Sequence, residues 1–149
     1  MPADNKRARV DLLDAMPYLI DSDWVIDHLD QVPQATTLLT SLADEAMYVS
    51  IVTYMEVFQG SLRADDPSRA LSELRAFIDD VPILPVTEAV AERCARLREN
   101  LLRQGKRPNR RAFDLLIAAT ALENDLSLVT RNARDYSDVP GLRLYGFES

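Results

Sequence analysis

Tyr18-Leu19-Ile20-Asp21-Ser22-Asp23-Trp24-Val25-Ile26 is the stretch whose reading decides the fold. A short apolar run climbs to an acid, a small hydroxyl and a second acid, and apolar residues then resume at helical spacing. A first strand buried on both faces of a parallel sheet reads as continuous hydrophobics. Ligands in open α/β sheets bind just beyond the carboxyl ends of the strands. An acid where such a strand stops therefore stands where chemistry happens. Helix capping accounts for Ser22 or Asp23, but not for Asp21 at the last position of the strand.

Downstream, strand-like and helix-like patterns alternate. A helix over about 23–30 is broken by Pro33, a second is expected over 34–44, and Met47 to Ser50 reads as a strand. Thr53-Tyr54-Met55-Glu56 fits a capping box, in which Glu56 reaches back to the cap backbone. The same spacing sets Glu56 in a first helical turn at the sheet's carboxyl edge, so the two roles compete for one side chain. Pro67-Ser68 opens a helix to about Asp79, and Pro82 and Pro85 limit a strand over 81–86 to an edge or a short span. Thr87 caps a helix to about Gln104, whose Val90, Cys94, Leu97 and Leu101 make a core stripe. Gly105 stops it as a C-cap glycine. The helix 113–122 is apolar all round apart from Asp114 and Thr120, which marks a buried element. A strand over 126–129, a turn at Pro140-Gly141 and a short last strand over 142–145 complete the chain. This alternation predicts a three-layer α/β/α domain with a mainly parallel sheet. Residues 1–17 show no sustained periodicity and read as a flexible leader ahead of one domain over 18–149, with Met16 as an alternative start.

A chain of 149 residues suffices for one hydrophobic core. No run approaches the roughly 18–20 apolar residues of a membrane span, and the first seventeen residues lack the apolar region of a signal peptide, so the expected location is the cytoplasm. The lone Cys94 excludes an intramolecular disulfide and a multi-cysteine zinc site. The only histidine, His28, excludes a histidine-rich metal site and reads as a surface or capping residue. A net charge of -7 argues against broad nonspecific nucleic-acid binding. The charge is uneven, however: Arg103, Lys106, Arg107, Arg110 and Arg111 fall within nine residues that contain no acid. They form either a solvated helix end or a phosphate-binding rim.

Three acids, Asp21, Glu56 and Asp114, fall at one predicted sheet edge with the oxygens of Thr130, Asn132 and Asp135. Carboxylates brought together repel, and without compensation one takes up a proton. A divalent cation removes the conflict, and an oxygen-only donor set suits Mg²⁺ or Mn²⁺. Such ions activate water and stabilise charge in phosphodiester displacement, with Arg107, Arg110 and Arg111 holding flanking phosphates.

The segments YLIDSDWVI, SIVTYMEVFQG, FDLLIAATALENDLSLVTRNARDY and VPGLRL together resemble a PIN-domain protein, specifically the VapC-like toxins of bacterial toxin–antitoxin pairs, over residues 18–145. The resemblance implies a Mg²⁺-dependent endoribonuclease acting on RNA, often a homodimer, held inactive by a cognate antitoxin. It carries the family's acids onto Asp21, Glu56 and Asp114 as metal ligands, and its strand-end hydroxyl onto Thr130. The frequent fourth acid falls on Asn132, an amide without charge, and Asp135 is expected to compensate. Asp23 is left a secondary or capping role. Apolar residues over 35–80 are candidates for a dimer surface. Two rivals remain at this point: a noncatalytic module that keeps the fold, and a phosphatase of the haloacid-dehalogenase type using Asp21 as nucleophile. The second lacks the late acid pair that chemistry needs, and its Lys would have to be Lys6 or Lys106.

Overall fold

The computed structural model describes residues 17–145, so the expected leader, apart from Pro17, and the last four residues lie outside the described part. Four strands, β1 (Tyr18–Ile20), β2 (Met47–Ser50), β3 (Ile83–Leu84) and β4 (Ser127–Val129), form one sheet in the order β3-β2-β1-β4. Every pairing is parallel, with Tyr18 opposite both Met47 and Ser127. Six helices surround it: α1 (Ser22–Leu29), α2 (Pro33–Leu42), α3 (Ile51–Leu62), α4 (Pro67–Asp80), α5 (Glu88–Arg103) and α6 (Ala112–Glu123). Two 3₁₀ segments, Pro108–Arg111 and Ala133–Tyr136, precede α6 and follow β4.

The strand period of two splits the interior into two cores. Tyr18, Ile20, Val49 and Val129 pack with Trp24 and Val25 of α1, Leu39 of α2, Val57 of α3 and Leu74 of α4. Leu19 and Leu128 point the other way, into Val90, Cys94 and Leu101 of α5 and Leu115, Ile117 and Ala118 of α6. Each fully buried aliphatic side chain contributes roughly 1.5–3 kcal/mol, which is why the all-apolar β1 can be central. The core stripe on α5 is as expected, and Cys94 is a buried free thiol held protonated by that burial. Gly105, at φ +78°, closes α5, with its N–H donating to the carbonyl of Leu102 at 3.0 Å.

Three local expectations are corrected. β1 stops at Ile20 and Asp21 becomes the N-cap of α1, although its N–H still donates to the Val129 carbonyl at 2.9 Å. The cap of α3 is Ser50, whose Oγ accepts from the N–H of Thr53 at 3.0 Å. Glu56 therefore falls in the second turn, too far along to act in a capping box. The expected last strand is a single bridge between Leu128 and Leu144, because Val139–Leu142 are taken up in a turn. His28 is partly buried, its ring 5.6 Å from that of Phe77.

Candidate functional site

The carboxyl ends of β1 and β4, the start of α1 and the start of α6 meet at one edge. Asp21 is there and is only 6% exposed. Its Oδ2 accepts from the Thr130 hydroxyl at 2.7 Å and its Oδ1 from the Ser22 N–H at 2.9 Å. The Asp21 carboxyl is nevertheless pushed up to about 6: burial outweighs these two donors, and Asp114 and Asp23 add to the rise. Thr130 is fully buried, and its oxygen also accepts from the Asn132 N–H at 3.1 Å. With its proton on Asp21 and a lone pair accepting from Asn132, Thr130 fixes the Asp21 carboxylate at the strand end, where the sequence places it.

Asp114 sits half-buried in the first turn of α6. Burial raises its pKa, helped by Asp135 and Asp23, while the phenol of Tyr136 and the Arg111 guanidinium pull it down. Tyr136 is 2% exposed, and its hydroxyl faces Asp114 without closing a hydrogen bond. Nothing in its local pattern marked it beforehand, because a buried tyrosine reads as core. Asp23 stands beside both acids, adding to the rise of each, and its Oδ2 lies 3.4 Å from the Asn132 side-chain nitrogen.

Glu56 does not close a three-acid cluster with Asp21 and Asp114. Its Oε1 accepts from the Ser22 hydroxyl at 2.7 Å, and that hydroxyl lies 3.3 Å from Thr53, so Glu56 is joined to Asp21 only through Ser22. Among the described residues no three Asp, Glu, His or Cys side chains stand close enough together to hold an ion. The donors still fit one kind of ion. Mg²⁺ keeps several waters and is commonly bound through one or two carboxylates plus substrate phosphates. Asp21 and Asp114 supply such a pair, all oxygen, with Asp23 and Asp135 beside them.

The basic segment divides in two. Arg111 makes a two-point ion pair with Asp138, at 2.8 and 3.0 Å, and donates to the Asp135 carbonyl; Lys106 joins Asp138 at 2.8 Å. Arg111, expected on the RNA, is thus committed to bracing the 3₁₀ segment before α6 against the turn after β4. Arg107 and Arg110 are exposed and make no ion pair among the described residues. Because the partners of Asp138 hold its carboxyl down near 2, Asp138→Ala is expected to cost about 1–3 kcal/mol. Chemical denaturation at pH 7 measures this; a loss below a few tenths of a kcal/mol would show that the brace is ornamental.

Comparison with known proteins places this geometry. The PIN domain family matches residues 18–142. The tRNA(fMet)-specific endonuclease VapC of Shigella flexneri is 29% identical over 128 residues, covering 86% of this chain and 96% of that one. VapBC2 from Rickettsia felis, solved bound to a DNA fragment from its promoter, shares the fold with a TM-score of 0.78 at 22% identity, over 89% of this chain and 100% of that chain. A toxin–antitoxin complex from Klebsiella pneumoniae aligns with a TM-score of 0.66 at 26% identity, over 84% of this chain and 94% of that chain. The chain belongs to the PIN domain family.

Proposed function

We propose that the chain is a Mg²⁺-dependent endoribonuclease and the toxin of a toxin–antitoxin pair. The observation that carries the reading is Asp21: a buried carboxylate, fixed by Thr130 and Ser22, facing a second acid, Asp114, at the carboxyl edge of a parallel sheet. The Shigella and Klebsiella relatives support nuclease activity and an antitoxin partner respectively. In this reading Asp21 and Asp114 hold the ion. Thr130 and Ser22 keep the Asp21 carboxylate from rotating, and Asp23, Asp135 and the Asn132 amide surround the outer side. Glu56, tethered through Ser22, completes the set only when its carboxylate leaves that hydroxyl. Arg107 and Arg110 attract the RNA backbone. Bound Mg²⁺, or Mn²⁺ in its place, supplies an activated water and charge stabilisation at the phosphate.

The exposed Ile51, Met55 and Leu62 fall on one side of α3 and support self-association as a homodimer. No helix among the described residues is long and apolar enough to cross a membrane. The test is direct: purified protein freed of antitoxin should cut RNA internally with Mg²⁺ or Mn²⁺, stop on chelation, and resume when the metal is restored. Cleavage indifferent to chelation, or no cleavage of total cellular RNA with either metal, would refute the reading.

A further inference from the structure

We propose that Phe113, Arg110 and Arg134 form a landing for one unpaired nucleotide beside the acids, with the base stacked on Phe113 and the adjoining phosphates held by the two arginines. This rests on the ribonuclease reading, gives Arg110 a defined place in it and adds Phe113 and Arg134, which that reading leaves idle.

Arg111 and Lys106 are tied to Asp138, Arg103 to Glu99, and Arg131 to Asp27 while stacking on Trp24 at 3.7 Å. Arg110 and Arg134 are exposed and have no acidic partner among the described residues. They come from different 3₁₀ segments, yet both line one open cavity of about 480 Å³ whose wall includes Asp114 and Asp135. Two uncommitted guanidinium groups facing a cavity that ends on the acids suit a chain of phosphates, which arginine binds through paired N–H donors.

Phe113 supplies the second observation. It stands 50% exposed in the first turn of α6, a helix otherwise largely buried. Among the described residues it is the only aromatic side chain among the exposed large hydrophobics. Its sequence neighbours are Arg110 three residues before and Asp114 immediately after. An exposed ring three residues after Arg110 and directly before Asp114 offers a stacking face to a base. In a duplex the base faces are already stacked, so such a platform selects unpaired strands. A purely apolar protein partner would leave Arg110 and Arg134 without a counter-charge.

The experiment measures binding without cleavage, by fluorescence anisotropy with a short single-stranded 2′-O-methyl RNA of mixed sequence and with its duplex. Phe113→Ala should weaken binding of the single strand by about tenfold and leave the duplex nearly unaffected. Phe113→Trp should hold binding, and Phe113→Leu should not. Arg110→Ala and Arg134→Ala should each lower the salt dependence of log K by about 0.7, with unchanged melting temperature. The proposal is overturned if the wild type binds neither probe, if Phe113→Ala weakens both equally or neither, or if it alters only self-association or antitoxin binding. An enzyme that cuts RNA but is indifferent to Phe113→Ala refutes the landing and leaves the ribonuclease standing. A protein that binds the strand as described but cuts nothing with any divalent ion does the reverse.

Discussion

Asp114→Asn is expected to abolish divalent-dependent RNA cleavage, a loss of roughly a thousandfold or more, without unfolding the protein. A bound divalent ion contributes several kcal/mol of charge stabilisation in the transition state, and each 1.36 kcal/mol is about a factor of ten in rate. Asn keeps the shape of Asp114 and removes its charge. The half-buried position opposite Asp21 means that this also removes a repulsion, so the metal-free variant should be at least as stable as the parent. Glu56→Gln should be milder, about tenfold, because that carboxylate rests on the Ser22 hydroxyl and reaches Asp21 only through it. Initial rates across a Mg²⁺ titration compare the two. Equal losses would show that Glu56 leaves Ser22 to share the ion in the working enzyme, and that this ranking of the acids is wrong.

The ranking shows where the sequence was legible and where it was not. The order of strands and helices is written in short apolar runs and in stripes such as Val90–Cys94–Leu101, because burial on a parallel sheet leaves a strong periodic mark. Caps were readable where one residue type suffices, as at Thr87, whose Oγ1 accepts from the Val90 N–H. At α3 the capping-box pattern pointed to Thr53, but the cap is Ser50, the last residue of β2, which puts Glu56 one turn further along. Asp21 and Asp114 could be found because each stands out against an apolar background. Tyr136 and Asp138 could not, since their roles depend on contacts across many residues: Asp138 reaches Arg111 and Lys106, and Tyr136 faces Asp114. Likewise charge counting placed Arg111 with its basic neighbours, whereas only tertiary contact reveals which cations are already paired.

Asp21→Asn is the variant expected to change the pH dependence of stability most. In the folded protein this carboxyl titrates near 6 instead of 3.8, chiefly through burial, with Asp114 and Asp23 adding to the rise. Between these values the folded protein holds a proton that the unfolded chain has released, so metal-free stability falls as pH rises from about 4 to about 6 and stays low above. The full drop attributable to Asp21 is up to about 3 kcal/mol. Asp114, also raised, works in the same sense. His28, whose pKa burial lowers, works in the opposite sense, because the unfolded chain takes up its proton first as pH falls. Asp138 matters only at lower pH, as its carboxyl is held near 2 and its contribution is lost in strong acid. Subtracting the Asp21→Asn profile from that of the parent cancels the His28 and Asp138 contributions. At pH 7.5 without divalent ions the variant should therefore be the more stable protein, and near pH 4.5 the advantage should vanish or reverse, since the amide matches the Thr130 hydroxyl and the Ser22 N–H less well than the carboxyl does. Adding Mg²⁺ should raise the melting temperature of the parent at pH 7.5 much more than that of the variant, because the variant keeps only Asp114 of the carboxylate pair that holds the ion. Parallel profiles from pH 4.5 to 7.5, or an equal response to Mg²⁺, would show that Asp21 is not the strained carboxylate on which the metal reading depends.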